Sequence, residues 1–126
     1  IGLVICAALA VVFLVVAWRA PRDRWLDVWT LAAFTTVVAS PHLLVYDLLI
    51  AVPAALVLLD RHPSRRVRLA LLAAFVLTYL NPVLHVLALK LTWPLTWVGA
   101  PWAVVPLLVL WYDALCACRA AAPDPV

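Results

Sequence analysis

The chain has 126 residues, 69% of them hydrophobic and 12% charged, with a formal net charge of +3 and a mean hydropathy of +1.15. A soluble domain is nearer half apolar and a quarter charged, so this composition predicts an all-α integral membrane protein. The basic residues gather at the ends of apolar runs, where they set orientation, and no nucleic-acid partner is expected.

A bilayer core of ~30 Å needs about 20 apolar residues in a helix, within a wide range. Taken in chain order, the sequence predicts five spans. Residues 1–18 form the first. No charged segment precedes it and no small-residue cleavage site follows, so it is not a signal peptide. A start at Ile1, already apolar, reads as the C-terminal part of something longer. Residues 19–24 form a basic loop. Residues 25–39 are a second, short span, and Ser40-Pro41-His42 a polar break. Residues 43–59 form the third span, and 60–68 a second basic loop carrying Arg61, Arg65, Arg66 and Arg68. Residues 69–89 form the fourth span, 90–100 an aromatic-rich connection, 101–118 the fifth span, and 119–126 a short polar tail. No soluble domain, linker or internal repeat is visible. The three cysteines lack a disulfide or zinc pattern. Cys6 lies in an apolar run, and Cys116 and Cys118, two apart on a helix, point in different directions. All three read as buried structural residues.

Charge gives the orientation. If the loop at 19–24 is cytoplasmic, alternating crossings put 60–68 and the tail on the same side. Eight of the nine Lys and Arg residues then lie inside, with Lys90 alone opposite. That is the positive-inside pattern. Had the second span been re-entrant, the two basic loops would lie on opposite sides. The tryptophans fit the same layout, with Trp18 and Trp25 at the inner boundary and Trp93, Trp97 and Trp102 at the outer one. An aromatic belt accounts for them; a sharper reading is that residues 91–97 line a lipid-binding groove.

The polar residues of interest begin at the break. Ser40-Pro41 is a helix-start signal, since Ser accepts from an orphan amide and Pro suits the first helical position. The second span is short: residues 28–39 rise only about 18 Å, which puts the break a little below the outer surface, in a water-filled recess. A helix N-terminus there attracts anions through its free amides and dipole. His42 adds a donor that can become a cation. His42 and Tyr46 share one helix face, Ser40 and Asp47 another. A carboxylate at Asp47 within the membrane must pair, protonate or face water. A phosphate with a polar head group would use Ser40, His42, Tyr46 and Asp47; a capped helix with polar interhelical contacts is the plainer alternative. On the fourth span, Asn81 and His85 are four apart beside Pro82, at a depth that suits support of the His42 site. They also fit a proline kink with polar contacts between helices. Asp60 and Asp113 lie toward the inner boundary and are expected to snorkel or pair with the arginines there. No carboxylate pair stands at metal spacing, so no metal is demanded, and no cofactor is expected.

The stretch from Ala39 to Leu49, with Ser-Pro-His, then Tyr-Asp, then an apolar run containing Pro53, resembles the C-terminal half of glycosyltransferase family 87. The resemblance is specific over about 20 residues. It implies a GT-C-type multi-helix membrane enzyme of a bacterial cell (inner) membrane, with its site facing outward and its C-terminus cytoplasmic. Such an enzyme takes a hexose, with mannose the candidate, from a polyprenyl-phosphate donor to a glycolipid or polysaccharide acceptor. The resemblance makes His42 the contact for the donor phosphate, with Tyr46 and Asp47 in support. The general base in such enzymes is typically an aspartate of a first outer loop, which this chain lacks, so the chain alone is expected to be inactive. A fragment of a proton-coupled transporter or lipid flippase is the alternative, because Asp and His near a broken helix fit that too. A purely structural membrane subunit is the third.

Overall fold

A computed structural model describes residues 2–39, 45–93, 95–100 and 102–119. Five helices follow one another: α1 (Gly2–Arg19), α2 (Trp25–Ala39), α3 (Val45–Arg61), α4 (Arg65–Ala88) and α5 (Val104–Arg119). Short 3-10 segments stand at Arg22–Arg24 and Leu95–Gly99. There is no strand among the described residues.

The helix ends follow local chemistry. Pro21 precedes the 3-10 turn that leads into α2. α4 starts at Arg65, four residues before the apolar run itself, because Ser64 accepts a hydrogen bond from the Val67 amide at 3.1 Å and caps the first turn. The basic loop is thereby shortened, and all four of its arginines belong to helices, Arg61 to the end of α3 and Arg65, Arg66 and Arg68 to α4. α4 then passes through Pro82 to Ala88 without a break. Proline at that position cannot bond the carbonyl four residues back, that of Thr78. Trp93 precedes the 3-10 segment at Leu95–Gly99 and Trp97 lies within it, so the two do not share a helix face.

α2 is the central helix. It packs against α1, α3 and α5, and buries Leu31, Phe34 and Val37 almost completely. Leu107 and Leu110 of α5 and Ala54 and Leu58 of α3 close around them. Its polar side chains are satisfied internally. Thr30 Oγ1 donates to the Leu26 carbonyl at 2.8 Å and Thr35 Oγ1 to the Leu31 carbonyl at 2.7 Å. Thr35 Oγ1 also accepts from Trp111 Nε1 of α5 at 2.9 Å. Each hydroxyl is thus paired where water is excluded.

Contacts at the helix ends define an up-and-down path. Cys6 Sγ near the start of α1 donates to the Ala39 carbonyl at the end of α2 at 3.3 Å. Arg61, at the end of α3, pairs with Asp27, at the start of α2, at 2.9 Å. Arg24 Nη1 donates to the Ala117 carbonyl of α5 at 2.8 Å, and Arg66 of α4 lies 3.5 Å from Asp113 of α5. Both basic loops and the end of α5 therefore share one end of the bundle. α2 and α3 run out and back between them, so the two basic loops do not lie at opposite ends of the bundle.

The outer surface is apolar. Trp18 is 92% exposed, and Leu72, Phe75, Val83 and Val86 of α4 stand outward. α4 is the one helix among the described residues long and apolar enough to cross a membrane by itself, and only 17% of that stretch is buried. Val4–Arg19 is a shorter apolar helix.

Candidate functional site

The candidate residues divide between described and undescribed positions. Ser40 and His42, with Pro41 between them, lie outside the described residues, and so does the helix-start signal they form. Tyr46 and Asp47 belong to the first turn of α3, at the end of the bundle opposite the basic loops. Asn81 and His85 lie four apart on α4, which runs back toward that same end.

Their placement follows from a slot between α3 and α4. Leu49 and Val52 of α3 face Phe75 and Tyr79 of α4 across it, with Phe34 and Leu107 at its floor. It encloses about 160 Å³ and is apolar throughout apart from the Tyr79 hydroxyl. Position 47 is two residues beyond Leu49 toward the polar end, and position 81 two residues beyond Tyr79 toward that end. Asp47 and Asn81 thus follow the slot-lining parts of α3 and α4 toward the same end of the bundle, and Asn81, two positions from Tyr79, faces away from the slot.

Asn81 is half-buried, and its Oδ1 is buried without a hydrogen-bond donor among the described residues. An unpaired buried acceptor costs about 1–3 kcal/mol, so this oxygen calls for a donor. One turn on, His85 is exposed and lines a cleft of about 410 Å³ with Ala88, Leu89, Thr96, Trp97 and Ala100. The 3-10 segment forms the far wall of this cleft, and Trp102 Nε1 donates to the Trp97 carbonyl at 3.1 Å, which ties the segment to the approach to α5. Asn81 and His85 therefore open onto different surroundings, one toward packed helices and the other toward an aromatic-walled cleft.

The opposite end holds the charges. Asp27 has a side chain only 8% exposed, bonded to Arg61 at 2.9 Å, with His62 Nε2 3.9 Å from its other oxygen. Of Asp60 and Asp113, expected to snorkel or pair with the arginines, Asp113 faces Arg66. At 3.5 Å this is a coulombic contact and not a directed hydrogen bond, and Asp113 Oδ2 is left without a donor. Arg66 also lies over the Tyr112 ring, 5.6 Å from its centre. Asp60 is exposed, and it is Asp27 that takes Arg61. Asp27 escaped the sequence reading because it sits within an apolar segment and its partner is 34 positions away. Its signal was being the lone acid of the first turn of α2, where the helix dipole favours negative charge. The cysteines also need a correction. Cys118 is buried, Cys6 half-buried and Cys116 exposed, because positions two apart on α5 face opposite ways. Among the described residues, no group of three His, Cys, Asp or Glu side chains could hold a metal ion.

No family model, curated protein or solved structure matches the chain.

Proposed function

We propose that the chain is the membrane-embedded C-terminal helical portion of a glycosyltransferase that uses a polyprenyl-phosphate-linked hexose, with mannose the candidate, as donor. Membrane embedding is supported by α4, whose apolar stretch is mostly exposed and is therefore not the buried core of a soluble fold. It is supported too by eight of nine cationic side chains belonging to one end of the bundle. The polar end then faces outward from a bacterial cell membrane.

The observation that carries the reading is the unpaired Asn81 Oδ1, on the part of α4 that runs from an apolar slot toward the end of the bundle where Asp47 lies. A lipid-linked sugar presents this same sequence of chemistry. Its hydrocarbon tail suits the slot, and its hydroxyls are donors for a carbonyl oxygen and a carboxylate. The phosphate falls to the Ser40–His42 segment, by resemblance to family 87. In an inverting displacement, an acceptor hydroxyl attacks the anomeric carbon and the bond from that carbon to the phosphate oxygen breaks. The lipid phosphate leaves with the electron pair, and a base takes the acceptor proton. His42 and nearby amides stabilise the charge that develops on the leaving phosphate. By resemblance to family 87, that base is an aspartate of a first outer loop.

The test is sugar transfer from a polyprenyl-phosphate-hexose donor in membranes carrying the full-length protein. Removing a donor that acts on developing charge costs about 100-fold, so His42→Ala is expected to lose about that much. Asn81→Ala, which removes one hydrogen bond to the sugar, is expected to lose about 10-fold. Wild-type turnover in His42→Ala would refute the phosphate role.

A further inference from the structure

The second groove of the molecule lies between α4 and α5, on the face away from α3. Its α4 wall is one continuous stripe: Arg65, Leu69, Ala73 and Leu77 recur every four residues, with Arg66 and Ala70 alongside. Val105, Pro106 and Val109 of α5 make the other wall, and Trp102 stands at the far end. The volume is about 1030 Å³, ample for a drug-sized or larger apolar ligand. From Arg66 to Leu77 the groove runs about 16 Å along the helix, close to the hydrocarbon depth of one leaflet of a ~30 Å core.

The two ends differ in charge. The Trp102 end has none. The Arg65 end carries Arg65 and Arg66, with Arg68 one turn along from Arg65. Asp113 offsets Arg66 alone, so the groove closes on a surplus of positive charge. The first turn of α4 adds to it. Ser64 satisfies the Val67 amide by its side chain and the Arg68 amide by its carbonyl, which leaves the amides of Arg65 and Arg66 at the positive end of a 24-residue helix. An apolar trough one leaflet long, ending in guanidinium groups and helix amides, is complementary to an acyl chain that ends in a phosphate.

We propose that this groove holds an anionic phospholipid of the inner leaflet. One acyl chain lies between α4 and α5, and the phosphate sits at Arg65 and Arg66. The inference rests on the membrane-embedded reading and is independent of glycosyl transfer. A covering helix would fill the apolar trough alone, whereas a phospholipid supplies the charge and the chain together.

The test uses the full chain purified in mild detergent, with phosphatidylglycerol or phosphatidylcholine added at equal concentration and bound lipid counted by native mass spectrometry. Wild type is expected to retain phosphatidylglycerol in preference. An arginine near a lipid surface contributes about fivefold, so Arg65→Gln should cut that preference about fivefold, and Arg65→Gln with Arg66→Gln about 30-fold. Ala73→Trp, which fills the groove away from the charges, should lower retention of both lipids. Equal retention of the two lipids by wild type overturns the proposal, as does an unchanged preference in Arg65→Gln together with unchanged retention in Ala73→Trp. So does a photocrosslinker at position 73 that captures a helix of the same protein. Flotation with vesicles separates insertion from lipid choice. A chain that inserts without favouring phosphatidylglycerol contradicts the lipid site alone. A chain that fails to insert into vesicles of either lipid contradicts the membrane reading as well.

Discussion

Asp27 and Arg61 show how an ion pair behaves when its two members differ in exposure. The carboxylate is 8% exposed and the guanidinium 37%. Removing the arginine strands a buried charge with His62 3.9 Å away, while neutralising the aspartate leaves an arginine that can turn to water. Arg61→Gln is therefore expected to cost about 2 kcal/mol and Asp27→Asn about 1 kcal/mol, with the double variant below the sum. Reversible unfolding in detergent measures this, and equal losses in the two single variants would contradict the asymmetry. The pair was not legible from the sequence. Acids at apolar boundaries were recognised at Asp60 and Asp113, but partner choice depends on how α2 and α3 pack, which spacing along the chain does not give. At the polar end, Asn81 and His85 were read as a pair on one face. The backbone bears out their spacing, yet their environments diverge, because Asn81 lies against neighbouring helices and His85 faces the 3-10 segment.

Among the elements, α2 is short yet central, and its stability comes from packing and not from length. The Trp111–Thr35 bond joins α5 to α2 between a half-buried indole and a buried hydroxyl. Thr35→Val leaves the indole N–H without an acceptor and is expected to cost about 1 kcal/mol. A double-mutant cycle with Trp111→Phe isolates the pair, and a coupling energy near zero would show that the bond contributes nothing. Helix positions were largely legible, because prolines, arginines and Ser64 punctuate apolar runs that are otherwise continuous. The start of α4 was not, since an arginine-rich segment reads as loop until the Ser64 cap extends the helix through it. The aromatic connection was half legible. A groove beside Trp97 was expected and a cleft exists there, but Trp93 lies outside the helical turn that forms its wall.

At the scale of the whole molecule, polarity is divided along the bundle axis. One end gathers both basic loops, the Asp27 and Asp113 pairs and the entrance to the α4–α5 groove. The other carries Tyr46, Asp47, Asn81 and His85. The central claim is that this axis crosses a membrane with the basic end in the cytoplasm, which makes the polar end available to an outward-facing lipid-linked donor. The most direct test is cysteine labelling of the full-length protein with Cys6, Cys116 and Cys118 replaced by serine. Single cysteines are placed at Pro63, in the basic loop, and at Thr96, in the 3-10 segment at the other end. With a membrane-impermeant maleimide on intact cells, Thr96→Cys is expected to label, and Pro63→Cys only after permeabilisation. Labelling of Pro63→Cys on intact cells with protection of Thr96→Cys would contradict the orientation, and equal labelling of both only after lysis would contradict the membrane span itself.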